Sequence, residues 1–151
     1  MKAFTFRLES LLHLRESAKE KALVSYASSI RDRELVEEKL LKLRLSESKI
    51  NQEISSLRAK HLNPSKEQSF QKALYSVKNE ILDFHKKLED AKKVECSKKG
   101  IFLKADSAHK SILRLKDKQN ESHVRNQLKK EERELDDIIN SRYQFQGNFQ
   151  N

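Results

Sequence analysis

The chain has 151 residues, 36% of them charged and 36% apolar, and its 32 Lys and Arg outweigh 23 Asp and Glu to give a formal charge of +9. The apolar share lies below the roughly 45–50% of an ordinary domain, which excludes a dense globular core. Two glycines and one proline cannot supply the reversals that a sheet of several strands needs every 8 to 12 residues or so, so a sheet is excluded as well.

Regularly spaced Leu, Ile and Phe argue against disorder and leave long helices as the expected structure. The single cysteine, Cys96, forms neither an internal disulfide nor a cysteine metal cluster, so the cytosol is the simplest compartment. The opening from Met1 to Glu9 carries charge where a secretory signal would be apolar, and no stretch approaches the ~18 apolar residues of a membrane span. A soluble, intracellular chain is expected.

In the first half, Val36, Leu40, Leu43, Glu47, Ile50, Ile54, Leu57 and His61 alternate steps of four and three, as the seam of a coiled coil does. Carried backwards in phase, the row meets Ser29, Tyr26, Ala22, Lys19, Arg15, Leu12 and Leu8. One helix is expected from about residue 8 to 60, roughly 80 Å long at 1.5 Å per residue. Arg15, Lys19 and Arg33 at seam positions would weaken the pairing, unless the phase fails before Val36.

Pro64 ends this helix, because proline drives the residue before it out of helical geometry. Ser65 and Gln68 have the S-x-x-Q form of a capping box, so a turn over 61–65 and a second helix from about 66 to 142 are expected. Its seam reads Phe70, Leu74, Val77, Ile81, Phe84, Leu88, Ala91, Glu95, Lys98, Phe102, Ala105, His109 and Ile112. The polar stretch 116–123 breaks the phase, and the repeat resumes at Val124, Leu128, Glu131, Leu135, Ile138 and Arg142. Gly100 is either a tolerated glycine or a flexible point. Residues 143–151 read as a flexible tail. The sum is one all-α domain, a long antiparallel two-helix coiled-coil hairpin with its turn near Pro64 and both chain ends at a common pole.

Catalysis is not expected, because two paired helices enclose no dry pocket, and no phosphate loop, H-E-x-x-H, C-x-x-C or nucleophile elbow occurs. The five histidines are too far apart to share a helical face, and no metal or cofactor is assigned. The doublets Lys86-Lys87, Lys92-Lys93 and Lys98-Lys99 look like a basic patch, but a step of six residues turns each by about 600° and spreads them around the helix. A solvated surface is the simpler reading, and no specific nucleic-acid site is assigned.

The ends are more informative. Phe4, Phe6, Leu8, Leu11, Leu12 and Leu14 crowd more apolar area than one partner helix covers, and Ile138, Ile139, Tyr143, Phe145 and Phe149 add to the same pole. Either a partner binds there or the two ends pack on each other.

The stretch Phe4-Thr5-Phe6-Arg7-Leu8-Glu9-Ser10-Leu11-Leu12-His13-Leu14-Arg15-Glu16 resembles the start of the flagellar export protein FliJ family, F-x-F-x-L-x-x-L-L-x-x-R-E. The run from Lys129 to Arg142 is similar to that family's closing segment. The resemblance implies a component of the bacterial type III export apparatus whose coiled coil is similar to the stalk of rotary ATPases. Its terminal pole would enter the export ATPase ring and its other part would contact the membrane export gate, with export chaperones as further partners, at the cytoplasmic face of the inner membrane. The resemblance assigns ring contact to Phe4, Phe6, Leu8, Leu11, Leu12, Arg15, Leu135, Ile138 and Arg142. Gate contact would fall on Phe70, Leu74, Val77 and Ile81, which are also seam positions. The stalk of a virulence secretion system is a close variant. The rival readings are a basic coiled coil binding nucleic acid or anionic membrane, and a homo-oligomer burying Leu41, Leu45 and Leu103.

Overall fold

The computed structural model describes residues 3–60 and 63–147, with side chains to residue 143. It is an all-α helical hairpin of α1 (Glu9–Ala59) and α2 (Pro64–Gly147). Favourable end charges sit on α1, with Glu9 in its first turn and Arg58 in its last. α2 begins two residues earlier than the capping-box pattern suggests. The Asn63 carbonyl accepts the amides of Lys66 and Glu67 at 3.0 and 3.3 Å, which makes Pro64 the first helical residue, where its missing N–H costs nothing. The seam residue His61 lies outside the described residues. At the other end α2 runs to Gly147 and takes in the start of the expected tail.

By contact the chain divides into two units, residues 19–104 and residues 1–18 with 105–151. In the first of these, α1 and α2 pair antiparallel. Tyr26 stacks on Phe102 with ring centroids 6.2 Å apart, and Arg33 Nε donates to Glu95 Oε2 at 2.5 Å. Seven residues forward on α1 thus match seven backward on α2, which is the register of a two-stranded seam. Leu40, Ile54 and Leu74 are the most buried apolar side chains here, and none falls below 2% exposure. An interface between two helices has no third layer to close over it.

Before Val36 the heptad phase holds from Arg33 back to Lys19, and of the earlier positions Leu12 is buried while Arg15 and Leu8 are exposed. Ser29 is 5% exposed and donates its hydroxyl to the Tyr26 carbonyl at 2.7 Å, while Ala22 and Lys19 are half-buried. Arg33 does not sit on the seam as a bare charge, because it bonds Glu95 and, through Nη1 at 2.7 Å, Glu37. Accepting these bonds, Glu95 first and Glu37 second, the two carboxylates hold the guanidinium above its ordinary pKa. Near the turn, Arg58 donates to Glu67 Oε1 from Nε at 2.9 Å and from Nη2 at 2.6 Å, tying the end of α1 to the start of α2.

In the other unit the amino-terminal segment lies along α2. Phe6 is 8% and Leu12 6% exposed. The Lys116 ammonium bonds Glu9 Oε1 at 2.8 Å and stands 6.0 Å from the centre of the Phe6 ring. Phe4 meets the His123 ring at 5.7 Å. On α2 the covered side carries on in the unshifted phase through Ile112, Lys116 and His123, with Gln127 one residue off it, all four half-buried, whereas Val124, Leu128, Glu131, Leu135, Ile138 and Arg142 are exposed. The sequence repeat resumes at Val124, but α1 does not cover it. From His123, which meets Phe4, the helix runs on for another 24 residues, about 36 Å.

Candidate functional site

The side chains assigned to one terminal pole fall into two sets. Phe4, Phe6, Leu11 and Leu12 are buried or half-buried against α2, where they hold the amino-terminal segment in place. Leu8 at 37% exposure and the exposed Arg15 stand at the rim of that packing. Leu135, Ile138 and Arg142 lie beyond it, exposed on α2, at least 12 residues past His123, about 18 Å along the helix. The structure does not gather the nine residues into one patch. The apolar excess at the amino terminus is largely taken up within the chain, and the excess on α2 is not.

Phe4 helps line a shallow groove of about 530 Å³ with Leu115, Gln119, Ser122 and His123. It is open on one side and gathers no convergent charges. Further along, Asn120, Glu121, Val124, Arg125 and Leu128 line a second groove of about 380 Å³, at the head of the exposed row. Three apolar side chains of that row stand without cover: Leu128 is 51%, Leu135 59% and Ile138 51% exposed.

In the unit of residues 19–104, the gate candidates Phe70, Leu74, Val77 and Ile81 occupy the seam, with Leu74 buried and the others half-buried against α1. Tyr75 and Leu82, on an adjoining face, are exposed instead. Arg44 donates from Nη2 to His85 Nε2 at 3.1 Å, which fixes that ring nitrogen as an acceptor. The lysine doublets are less scattered than a six-residue step implies. Lys86 and Lys93 are seven residues apart, as are Lys92 and Lys99, and seven residues return to nearly the same face. Lys92, Lys99 and Arg33 line a groove of about 370 Å³ that also holds Cys96, but Glu95 already stands in it as the counter-charge.

His109 is half-buried on the seam, with its Nδ1 shielded and without a hydrogen-bond partner. Among the described residues no three His, Cys, Asp or Glu side chains gather in a geometry for a metal ion. No helix among them is long and apolar enough to cross a membrane. Sequence reasoning missed the Arg33–Glu95 layer. The signal was present, since both residues fall on seam positions of opposite charge, but it could be found only with the register between the helices in hand.

No curated protein and no solved structure gives a significant match to the chain. The family model of the flagellar FliJ protein, in contrast, matches residues 4–148. That span takes in the Phe4–Glu16 motif, both helices and the exposed row of α2, and the chain belongs to the flagellar FliJ family, a component of flagellar protein export.

Proposed function

We propose that the protein is a non-catalytic, stalk-like coiled coil that couples the flagellar export ATPase ring to the membrane export gate and assists the export of flagellar proteins. The observation that carries this reading is the uncovered apolar row of α2 from Val124 to Arg142, inside a family match of flagellar description. A helix that keeps a seam repeat after its partner has ended is built to meet another protein. Exposed Leu8, Arg15, Leu135, Ile138 and Arg142 make the ring contact, and Phe4, Phe6, Leu11 and Leu12 hold the amino-terminal segment that frames it. Phe70, Leu74, Val77 and Ile81 serve the gate through the edges that three of them leave open. The protein acts at the cytoplasmic face of the inner membrane, with export chaperones as further partners. The flagellar match favours this system over the equivalent stalk of a virulence apparatus.

ATP turnover by the co-expressed flagellar export ATPase, with and without this protein, tests the reading. Stimulation by wild type that is lost in a Leu135→Ala, Ile138→Ala variant of unchanged helicity supports it. No stimulation at saturating protein refutes it. The basic-surface rival predicts instead salt-sensitive binding to DNA or anionic vesicles that this variant retains.

A further inference from the structure

The exposed row of α2 differs in chemistry from the seams that bury α1. Leu128, Leu135 and Ile138 stand on one face, and from Glu131 to Asp137 the helix carries five carboxylates and one guanidinium. Helical geometry sorts these charges. Glu131 lies within the row, with Glu132 and Glu134 on its two flanks. Arg133 points to the opposite side of the helix and Lys129 and Lys130 lie behind the two flanks, so these three cations only partly offset the five carboxylates, and none lies on the face a partner would meet. Arg125 and Arg142 lie at the two ends. The middle of the face is therefore apolar and acidic, and all of these side chains are exposed.

The row is also turned away from the covered side of α2. The half-buried positions there, Lys116 and His123, keep the earlier phase, and a one-residue shift rotates the face by about 100°. A partner helix can settle on the row without displacing the amino-terminal segment.

A second copy of the same row is a poor occupant. Parallel pairing sets Glu131 against its own image, and antiparallel pairing about this stretch brings Glu131, Glu132 and Glu134 of both copies within a turn of one another. Like charges facing across a seam oppose association. We infer that the row between Val124 and Arg142 seats a basic amphipathic helix of another protein, with apolar anchors against Leu128, Leu135 and Ile138 and lysines or arginines against Glu131, Glu132 and Glu134. The inference rests on the functional reading above for which protein supplies the helix, and on the face itself for the chemistry.

The test uses the full chain and two synthetic three-heptad helices with leucine at the seam positions, one flanked by lysine and the other by glutamate. Calorimetric titration at low salt is expected to show the lysine peptide binding at least ~10-fold tighter than the glutamate peptide. A Glu131→Lys, Glu132→Lys, Glu134→Lys variant reverses that preference. The Lys129→Glu, Lys130→Glu, Arg133→Glu variant keeps it, because its changes lie on the back of the helix. Circular dichroism verifies that both variants stay helical. Equal binding of the two peptides, or equal effects of front and back reversals, overturns the inference, as does self-association of the wild type that Leu135→Ala abolishes. Binding of the co-expressed export ATPase is measured in parallel. If the ATPase fails to bind while the peptide preference holds, the functional reading falls and this inference stands. If the ATPase is bound and stimulated but the preference is absent, the outcome is the reverse.

Discussion

Replacing Phe6 by Ala separates the residues that hold the amino-terminal segment from those that meet a partner. Phe6 is 8% exposed, set against α2 with the Lys116 ammonium 6.0 Å from its ring centre. Burying an aromatic side chain of this size contributes about 1.5–3 kcal/mol, and truncation in a full core costs about 3–5. This site is covered by one helix only, so the loss should lie near 2–3 kcal/mol. Because the segment sits at a chain end, the loss should appear as local opening and not as global unfolding. An opening equilibrium raised by that amount is roughly 30- to 150-fold faster exchange of the protected amides. The Leu12 amide, bonded to the Leu8 carbonyl at 3.0 Å, is a suitable reporter. Hydrogen exchange read by mass spectrometry over residues 3–14 should show this rise, while peptides from residues 30–55 and 74–100 keep wild-type protection. Unchanged exchange over 3–14 would refute the packing argument, and so would loss of protection throughout the chain.

Four further outcomes follow from the same contacts. Leu135→Ala with Ile138→Ala should change the midpoint of thermal unfolding little, within about 0.5 kcal/mol of stability, because both side chains are more than half exposed; a larger loss would mean that they are packed within the chain. Gly100→Ala should stabilise by about 0.5–1 kcal/mol, since a Cβ there meets nothing within 4 Å and alanine is the better helix former; a lowered melting temperature would sink this. Arg33→Leu and Glu95→Leu should each destabilise the hairpin more than the double replacement does, because each single change leaves one charge of the pair on the seam, and thermal melts of the three variants supply the order. The Lys42 ammonium, 2.6 Å from Glu38 Oε1, holds that carboxyl below its ordinary 4.5, mainly by hydrogen bonding. A depressed carboxylate pKa adds stability above the unfolded value and loses it as pH falls through the folded one. Lys42→Met should therefore move the Glu38 carbon-13 titration upward and remove that small acid sensitivity.

The sequence by itself determined the helices and their seams. Steps of four and three place Leu40, Ile54 and Leu74 on apolar faces whatever lies opposite, and the lone proline can only fall at a helix boundary or a kink, because it lacks the N–H that a helix interior needs. The heptad phase was legible even through Lys19, Tyr26, Ser29 and Arg33, since the period survives polar substitutions. Pairing across the helices was decided by tertiary structure. That Arg33 meets Glu95 depends on a register that no single helix encodes. The candidate site was half legible for the same reason. The motif Phe4–Glu16 and the row from Val124 to Arg142 are both visible as patterns, but a pattern does not say which apolar face finds a partner within the chain. The amino-terminal face is covered because Phe6 and Leu12 reach α2. The row of α2 stays open because its phase slips by one residue and turns it from the side that the amino-terminal segment covers, and burial depends on what stands opposite a side chain, not on the side chain alone.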